Sequence, residues 1–487
     1  MFQALRIEEE LMVLKMASFR TGGWLKRSFT AVAACLLAVQ VCAGMALSNL
    51  HSFDGPNGAN PRGTLLQATD AYLYGTTQTG GTNGVATGGD GTIFRISPAG
   101  EFQVLASLLG TSGAAPQSPL IQAHDGVLYG AAPEGGIENL GAVFKWSPDG
   151  QYSTVLLFTG DQGGMPNGLM QSPSGDLYGT LYFASSNSVA GGAYGGVFRL
   201  TTNGVFSTMA TFNGANGANP RAGLLLGADG NFYGTTFKGG TTGGWGTVFK
   251  MTPAGAITTL VSFNGTNGAA PLSPLIQTED GALYGTTSAG GIGFNGIPYT
   301  GFGTVFRIAA DGTFSTVAFF GGTNGSYLAT GALVKASDGA LYGTTQRGGT
   351  YQAGTVYRIS SAGVLSTLVS FSPLDGSEPA SGLVQASDGN LYAVTATGGK
   401  YNHGTVCRIS IAAHRPVLTI SPPKDGFCDL CWDSETNAKY QIQSTDAIQP
   451  TQWVNVGDPI TATGPNWCVK VPKSAEKCFF YRVEVIP

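Results

Sequence analysis

One phrase recurs seven times along this chain and governs what the rest can fold into. A Tyr-Gly-Thr-Thr-like segment is followed by a Gly-Gly loop and then by Gly-Thr-Val-Phe-Arg-Ile. The anchors are Tyr74, Tyr129, Tyr178, Tyr233, Tyr284, Tyr342 and Tyr392. They stand about 53 residues apart, a period that marks a solenoid, a propeller or an array. The partner segment recurs in step at 91–96, 246–250, 303–308 and 354–359, with weaker copies at 141–146, 196–200 and 404–409.

Each copy holds four strand-sized pieces rich in β-branched and aromatic residues and bounded by Gly, Asp, Asn and Pro. No helical apolar spacing persists in any copy. A four-stranded antiparallel sheet repeated around an axis is a β-propeller; the rival is a linear β-solenoid, whose coils are usually far shorter. The ends of the array separate the two. The last copy stops after Arg408-Ile409 without a fourth strand. An orphan fourth strand, 47–53, precedes the first copy and reads like 365–371. The expected fold is therefore all-β: a seven-bladed propeller over 46–412, closed by an N-terminal strand that removes both sheet edges.

The repeat also predicts a working face. Within a blade the first and third connections are tight Asp-Gly or Pro-Ala-Gly turns at one end of the ring. The loops between blades, and those between second and third strands, lie at the other. The latter vary most: four residues separate Gly349 from Gly354, and eleven separate Gly291 from Gly303. Variable loops on a rigid scaffold are where binding usually resides. These carry Tyr182, Tyr194, Trp245, Phe294, Tyr299, Phe302, Tyr351 and Tyr401, with His403. Tyr182, Tyr194, Trp245, Tyr299, Phe302, Tyr351, Tyr401 and His403 are the ligand-binding candidates, since exposed rings suit the apolar faces of sugars. The competing reading is that these rings pack between neighbouring loops.

Composition fits an exported all-β chain. Gly accounts for 75 of 487 residues, and only 11% are charged, against roughly 25% in an average domain. A net charge of −4 with no basic stripe argues against a nucleic-acid partner. Residues 1–45 read as a secretory signal: Arg20, Lys26 and Arg27 precede the apolar run 31–41, and small residues follow near Ala43 and Ala46. Met16 is an alternative start. No later apolar stretch offers a membrane anchor, and the mature chain is expected to be a monomer. From about His414 the texture changes, and 413–487 reads as a small immunoglobulin- or fibronectin-like β-sandwich. It holds Cys428, Cys431, Cys468 and Cys478, which allow three disulfide connectivities. The Cys-x-x-Cys spacing also fits zinc, but export favours two disulfides. Cys407 replaces the Phe of the repeat and reads as a buried free thiol.

Leu-Tyr-Gly-Thr-Thr, Gly-Gly and Gly-Thr-Val-Phe-Arg-Ile, recurring in phase from Leu47 to about Ser410, resemble the Gloeo/Verruco (GloVer) tandem repeat of bacterial exported proteins. The resemblance implies export and surface display, with no catalytic residues to carry over. Members often end in a membrane-spanning sorting tail, and 485–487 offer none. The C-terminal pattern resembles fibronectin- or immunoglobulin-like tails.

Catalytic signals are weak. The four His, at 51, 124, 403 and 414, have no metal-site spacing, and no nucleophile elbow or phosphate loop occurs. No catalytic residue, metal or cofactor is assigned. Glu134 with Glu138 could act as a carboxylate pair on a glycan, and Tyr401 with His403 as the acid and base of a lyase. The expected function is non-catalytic binding of an extracellular glycan or surface protein. The alternatives are a polysaccharide lyase or hydrolase, and a structural surface-layer protein. A basic residue also recurs in every third strand (Arg95, Lys145, Arg199, Lys250, Arg307, Arg358, Arg408). It could form an anion-binding ring, but a latch to the Asp of the first turn is favoured, because seven unpaired like charges repel.

Overall fold

A computed structural model describes residues 46–83, 89–184, 194–328, 330–361, 363–410, 418–420, 427–433, 439–445, 454–461, 466–472 and 480–486. The expected leader, 1–45, and Cys478 lie outside the described residues, and Cys428 is described by its backbone alone. Contacts divide the chain into two units, one of them spanning Met45–Ile411.

That unit is a seven-bladed β-propeller. The fifth blade shows the plan: Ile276–Gln277, Leu283–Thr287, Thr304–Ile308 and Phe314–Phe319 lie side by side in chain order, all antiparallel. In the seventh blade the fourth strand comes from the other end of the chain. Ala46–Ser52 pairs antiparallel with Thr405–Ser410, Ala46 opposite Ser410 and Ser52 opposite Thr405. The third and fourth strands slip register at the same point in all seven blades, leaving one extra residue on the fourth. Such a bulge sharpens local twist. The closing strand carries it at Leu50, as a genuine fourth strand should.

The motif now has physical reasons. The Tyr-Gly glycine faces the Phe of the third strand, and a Cβ on Gly285 would come within 2.4 Å of the Phe306 ring. In the seventh blade both partners change together, to Ala393 opposite Cys407. Burial pushes the Cys407 thiol up to about 12, so it is inert, as a buried thiol should be. The second Thr of Thr-Thr shares a buried hydrogen bond with the Thr of Gly-Thr-Val: Thr77 with Thr92, Thr236 with Thr247, Thr287 with Thr304, Thr345 with Thr355 and Thr395 with Thr405. The second blade has Ala132 opposite Ala142 instead, which removes both polar groups together.

Blades are joined by side chains that cross each boundary. Phe53, Phe158, Phe212, Phe263 and Phe320, each just past a fourth strand, meet the next blade's Phe94, Phe198, Phe249, Phe306 and Tyr357 at 4.9–5.6 Å, edge to face. Such pairs contribute roughly 0.5–1.5 kcal/mol beyond their area. At the tight-turn end, a Gln on one blade accepts from a turn N–H of the preceding blade. Gln122 accepts from Thr69 (3.0 Å), Gln171 from His124 (2.8 Å), Gln277 from Ala228 (2.9 Å), Gln385 from Ser337 (2.8 Å) and Gln67 from Ser387 (2.7 Å). The last of these spans the seam between the final blade and the first.

Five of the seven basic residues of the third strands pair within their own blade. Arg199 meets Asp176 (2.7 Å), Lys250 Asp229 (2.9 Å), Arg307 Asp280 (2.9 Å), Arg358 Asp338 (3.2 Å), and Arg95 approaches Asp70 (4.0 Å). The anchor tyrosines Tyr74, Tyr233 and Tyr342 donate to the same carboxylates, and Tyr392 donates to Asp388. These residues form latches rather than an open anion ring. The Arg307 and Asp280 side chains remain 33% and 55% exposed, so solvent screens the pair and its contribution is small.

The described C-terminal strands form two three-stranded antiparallel sheets. Leu418–Ile420, Phe427–Asp433 and Asn466–Pro472 make one; Val454–Thr461, Lys439–Thr445 and Phe480–Ile486 make the other. Cys431 and Cys468 stand opposite one another in the first sheet, Cα atoms 4.1 Å apart, and are joined as a disulfide.

Three outcomes are expected. Deleting 46–53 leaves the last blade with three strands and two open edges, so the product should aggregate or lose cooperative unfolding; a soluble deletion variant with unchanged melting would refute closure. Gly285→Ala should destabilise by about 1–3 kcal/mol through overpacking. Combined with Phe306→Cys, its cost in denaturant melts should fall below the sum of the singles, because the two residues touch. The third concerns acid. Hydrogen bonds from Thr278 first, then Arg307 and the Ala282 N–H, hold the Asp280 carboxyl at about 2, below its ordinary 3.8. Its contribution is therefore present above pH 3.8 and lost as pH falls toward 2. Asp280→Asn should flatten that limb of a melting-temperature profile.

Candidate functional site

The connection that enters each blade runs across the loop-rich end, and its geometry is tight. One residue per connection has left-handed backbone without being glycine: Asn60, Ala115, Met165, Asn219, Ala270, Tyr327 and Glu378, with φ between 52° and 56°. Six of these donate their N–H to the loop of the blade just left, at 2.7–3.0 Å; Asn219 donates to the Tyr194 carbonyl and Asn60 to that of His403. The accepting residue always precedes the Gly of Gly-Thr-Val-Phe. That glycine has φ near 100° in several blades, and a Cβ on Gly246 would come within 2.5 Å of the Thr236 carbonyl oxygen and 2.6 Å of Pro271. The loop-rich end is thus held by backbone bonds, and side chains there stand on fixed supports.

The eight candidate ligand residues separate into three groups. Tyr194, Trp245 and His403 occupy the accepting position, where the main chain does structural work, and Phe302 stands at the matching place in the fifth blade. Their side chains lie over or beside the loops: Tyr194 over Gly214, Phe302 against Gly322, His403 beside Gly55, and Trp245 edge-on to Phe294 at 5.3 Å. This is the loop-packing arrangement. Tyr351 and Tyr401 are exposed, with Lys400 4.8 Å from the Tyr401 ring. Tyr182 and Tyr299 come together through two residues that sequence reasoning missed.

Those two are Arg221 and Phe237. The Arg221 guanidinium lies 4.9 Å from the Tyr182 centroid and 4.7 Å from that of Phe237. Phe237 in turn stacks on Tyr299, rings 5.4 Å apart and 10° from parallel. The row runs across the third, fourth and fifth blades, and Lys238 adds a second cation, its ammonium 5.8 Å from Phe237. Asn219 sets the row's geometry. Its side-chain amide donates to the Tyr182 carbonyl (3.0 Å), and its own carbonyl accepts from the Phe237 N–H (3.3 Å). Asn tolerates left-handed backbone better than most residues, which suits it to this corner. Behind the row, Phe237 and Trp245 pack on Ala269, Ala270 and Ala289. Arg221 itself is exposed, and among the described residues no hydrogen-bond or ion-pair partner meets its N–H groups. Arg62, at the matching position of the first blade, instead donates to Gln78 at 2.7 Å.

Glu138 accepts from the Gly160 N–H at 2.8 Å, while the main chain of Glu134 pairs with Ala114. No cluster of three or more His, Cys, Asp or Glu among the described residues is placed to hold a metal ion. No helix among them is long and apolar enough to cross a membrane.

Comparison with known proteins gives a family and a set of distant structural likenesses. A gluconolactonase of Xanthomonas campestris is 14% identical with a TM-score of 0.39, over 62% of this chain and 86% of that one. A Bacteroides fragilis protein assigned as a 6-phosphogluconolactonase is 15% identical with a TM-score of 0.44, over 82% and 99% of the two chains. A luciferin-regenerating enzyme is 10% identical with a TM-score of 0.41, over 76% and 96%. No curated protein matches the sequence. The profile of the Gloeobacter/Verrucomicrobia repeat matches residues 37–189 and 293–421, more than half of the chain. With its motif, register and ring accounted for, this protein belongs to the Gloeobacter/Verrucomicrobia repeat family.

Proposed function

We propose that this is an exported, surface-displayed binding protein whose loop-rich face takes up a glycan. The reading rests on the row Tyr182–Arg221–Phe237–Tyr299, in which two blades' tyrosines are aligned through a third element fixed by Asn219. Aromatic rings of this kind offer apolar faces to the C–H faces of sugars, and the polar edges around them fix orientation. Export is supported by the basic, apolar and small-residue succession of 1–45.

The test is incubation of the mature protein with a panel of insoluble and soluble polysaccharides, following both retention and product formation. Retention without new reducing ends or unsaturated products is expected. Phe237→Ala, which removes the centre of the row, should weaken retention by about tenfold, the loss of 1.4 kcal/mol. Release of reducing ends would make the protein an enzyme, and failure to retain any polysaccharide would overturn the binding assignment.

A further inference from the structure

Resting on that reading of the loop-rich face, we infer that the glycan is acidic: the edge of the Arg221 guanidinium takes the carboxylate of a uronic acid residue while the adjoining rings carry its C–H face. The Arg221 guanidinium carbon lies over both the Tyr182 and the Phe237 ring. Its N–H groups form the planar fork that matches a carboxylate in two parallel hydrogen bonds. Those groups are exposed and, among the described residues, unmatched. Every third-strand arginine with a given ion pair has an Asp in its own blade, so Arg221 is not part of the latch system.

The surroundings point the same way. The loop-end segments around the row, 182–184, 194–195, 212–222, 237–246, 263–274 and 288–303, contain Arg221 and Lys238 and not one Asp or Glu, and Asp161 stands on the far side of the third blade, in the connection that enters it. The loop-end carboxylates Asp54, Asp90, Glu134, Glu138, Asp161, Asp375 and Glu378 fall outside these segments. In a chain of net charge −4, that makes this sector locally cationic beside an aromatic platform. A neutral sugar would use the platform and leave the fork solvated. An acidic sugar uses both.

The experiment measures binding of polygalacturonate, neutral galactan and dextran sulfate to the full mature chain, for the native sequence and for Arg221→Lys, Arg221→Gln and Lys238→Gln. Melting temperatures establish that each variant is folded; Arg221 is exposed, so little change is expected. Polygalacturonate should bind more tightly than galactan. Arg221→Lys keeps the charge but loses the planar fork, and should weaken polygalacturonate by about tenfold or more. Arg221→Gln should do at least as much, and Lys238→Gln about threefold, with a smaller loss for galactan than for polygalacturonate in each case. If galactan binds as well as polygalacturonate and Arg221→Gln changes neither, the acidic inference fails while the glycan reading stands. If dextran sulfate competes fully and Arg221→Lys behaves as the native protein, the site reads charge alone and the carboxylate assignment fails. If no polysaccharide binds, both readings fail together.

Discussion

Antiparallel pairing of Ala46–Ser52 with Thr405–Ser410 is the interaction on which the ring depends. Without it the propeller would be an open arc with an unpaired edge at each end, a template for aggregation. The pairing does not act alone. Phe53, at the end of the closing strand, packs 5.2 Å from Phe94 of the first blade. Ser387 donates to Gln67, Gly382 to the Thr64 hydroxyl, and Asn60 to the His403 carbonyl. The seam is therefore built from the same types of contact as the other boundaries. Joining residues more than three hundred positions apart costs loop-closure entropy only logarithmically in length, so a few such contacts can offset it. The penalty falls on speed, since non-local pairing folds slowly.

The repeats also show which contacts are coupled, because the chain carries its own variants. Gly faces Phe or Tyr in six blades, and in the seventh Ala393 faces Cys407; the smaller thiol admits the extra methyl. Thr faces Thr in five blades. Ala132 faces Ala142 in the second, and Leu181 faces Gly196 in the third. Each change on one strand is answered directly across the ladder, which cross-strand packing demands of a buried surface. The same complementarity governs the boundaries, where Leu328 replaces the proline that elsewhere lies against the neighbouring glycine.

Most of the fold was legible because repetition turns weak local signals into a phased pattern. The period, the seven copies, the split last blade and the Arg–Asp latches all follow from position within the repeat. The aromatic row was less legible, and the reason is physical. Aromatics were selected for lying in variable loops, yet Tyr194, Trp245, Phe302 and His403 share one register position whose backbone role tolerates many side chains, Asp90, Leu140 and Ala353 among them. The useful signal lay one residue past the Thr-Thr dipeptide. That position holds Gln78, Pro133, Tyr182, Phe237, Ser288, Gln346 and Ala396, variable where the residue before it is Thr in five of the seven copies. Arg221 gave no sign of its stacking partners, because two of its three rings of context come from other blades.

Rigidity and specificity then have one origin. The residue that pins the fourth blade's entry, Asn219, also holds the Tyr182 and Phe237 main chains, so the row cannot shift without breaking the backbone bonds that hold the loop-rich end. Left-handed, non-glycine backbone is costly and persists only where its surroundings overdetermine it. Here one such residue stands in every connection, and six of the seven are secured by a hydrogen bond to the preceding blade. A guanidinium that lies over two rings has less freedom left to lose on meeting a ligand, and preorganisation of that kind raises affinity by lowering the cost of ordering. The ring supplies seven equivalent corners, and the chain has furnished one sector of them with aromatic and cationic side chains free of carboxylates. The rigidity of the loop-rich end and the proposed choice of ligand therefore rest on the same set of strained, hydrogen-bonded turns.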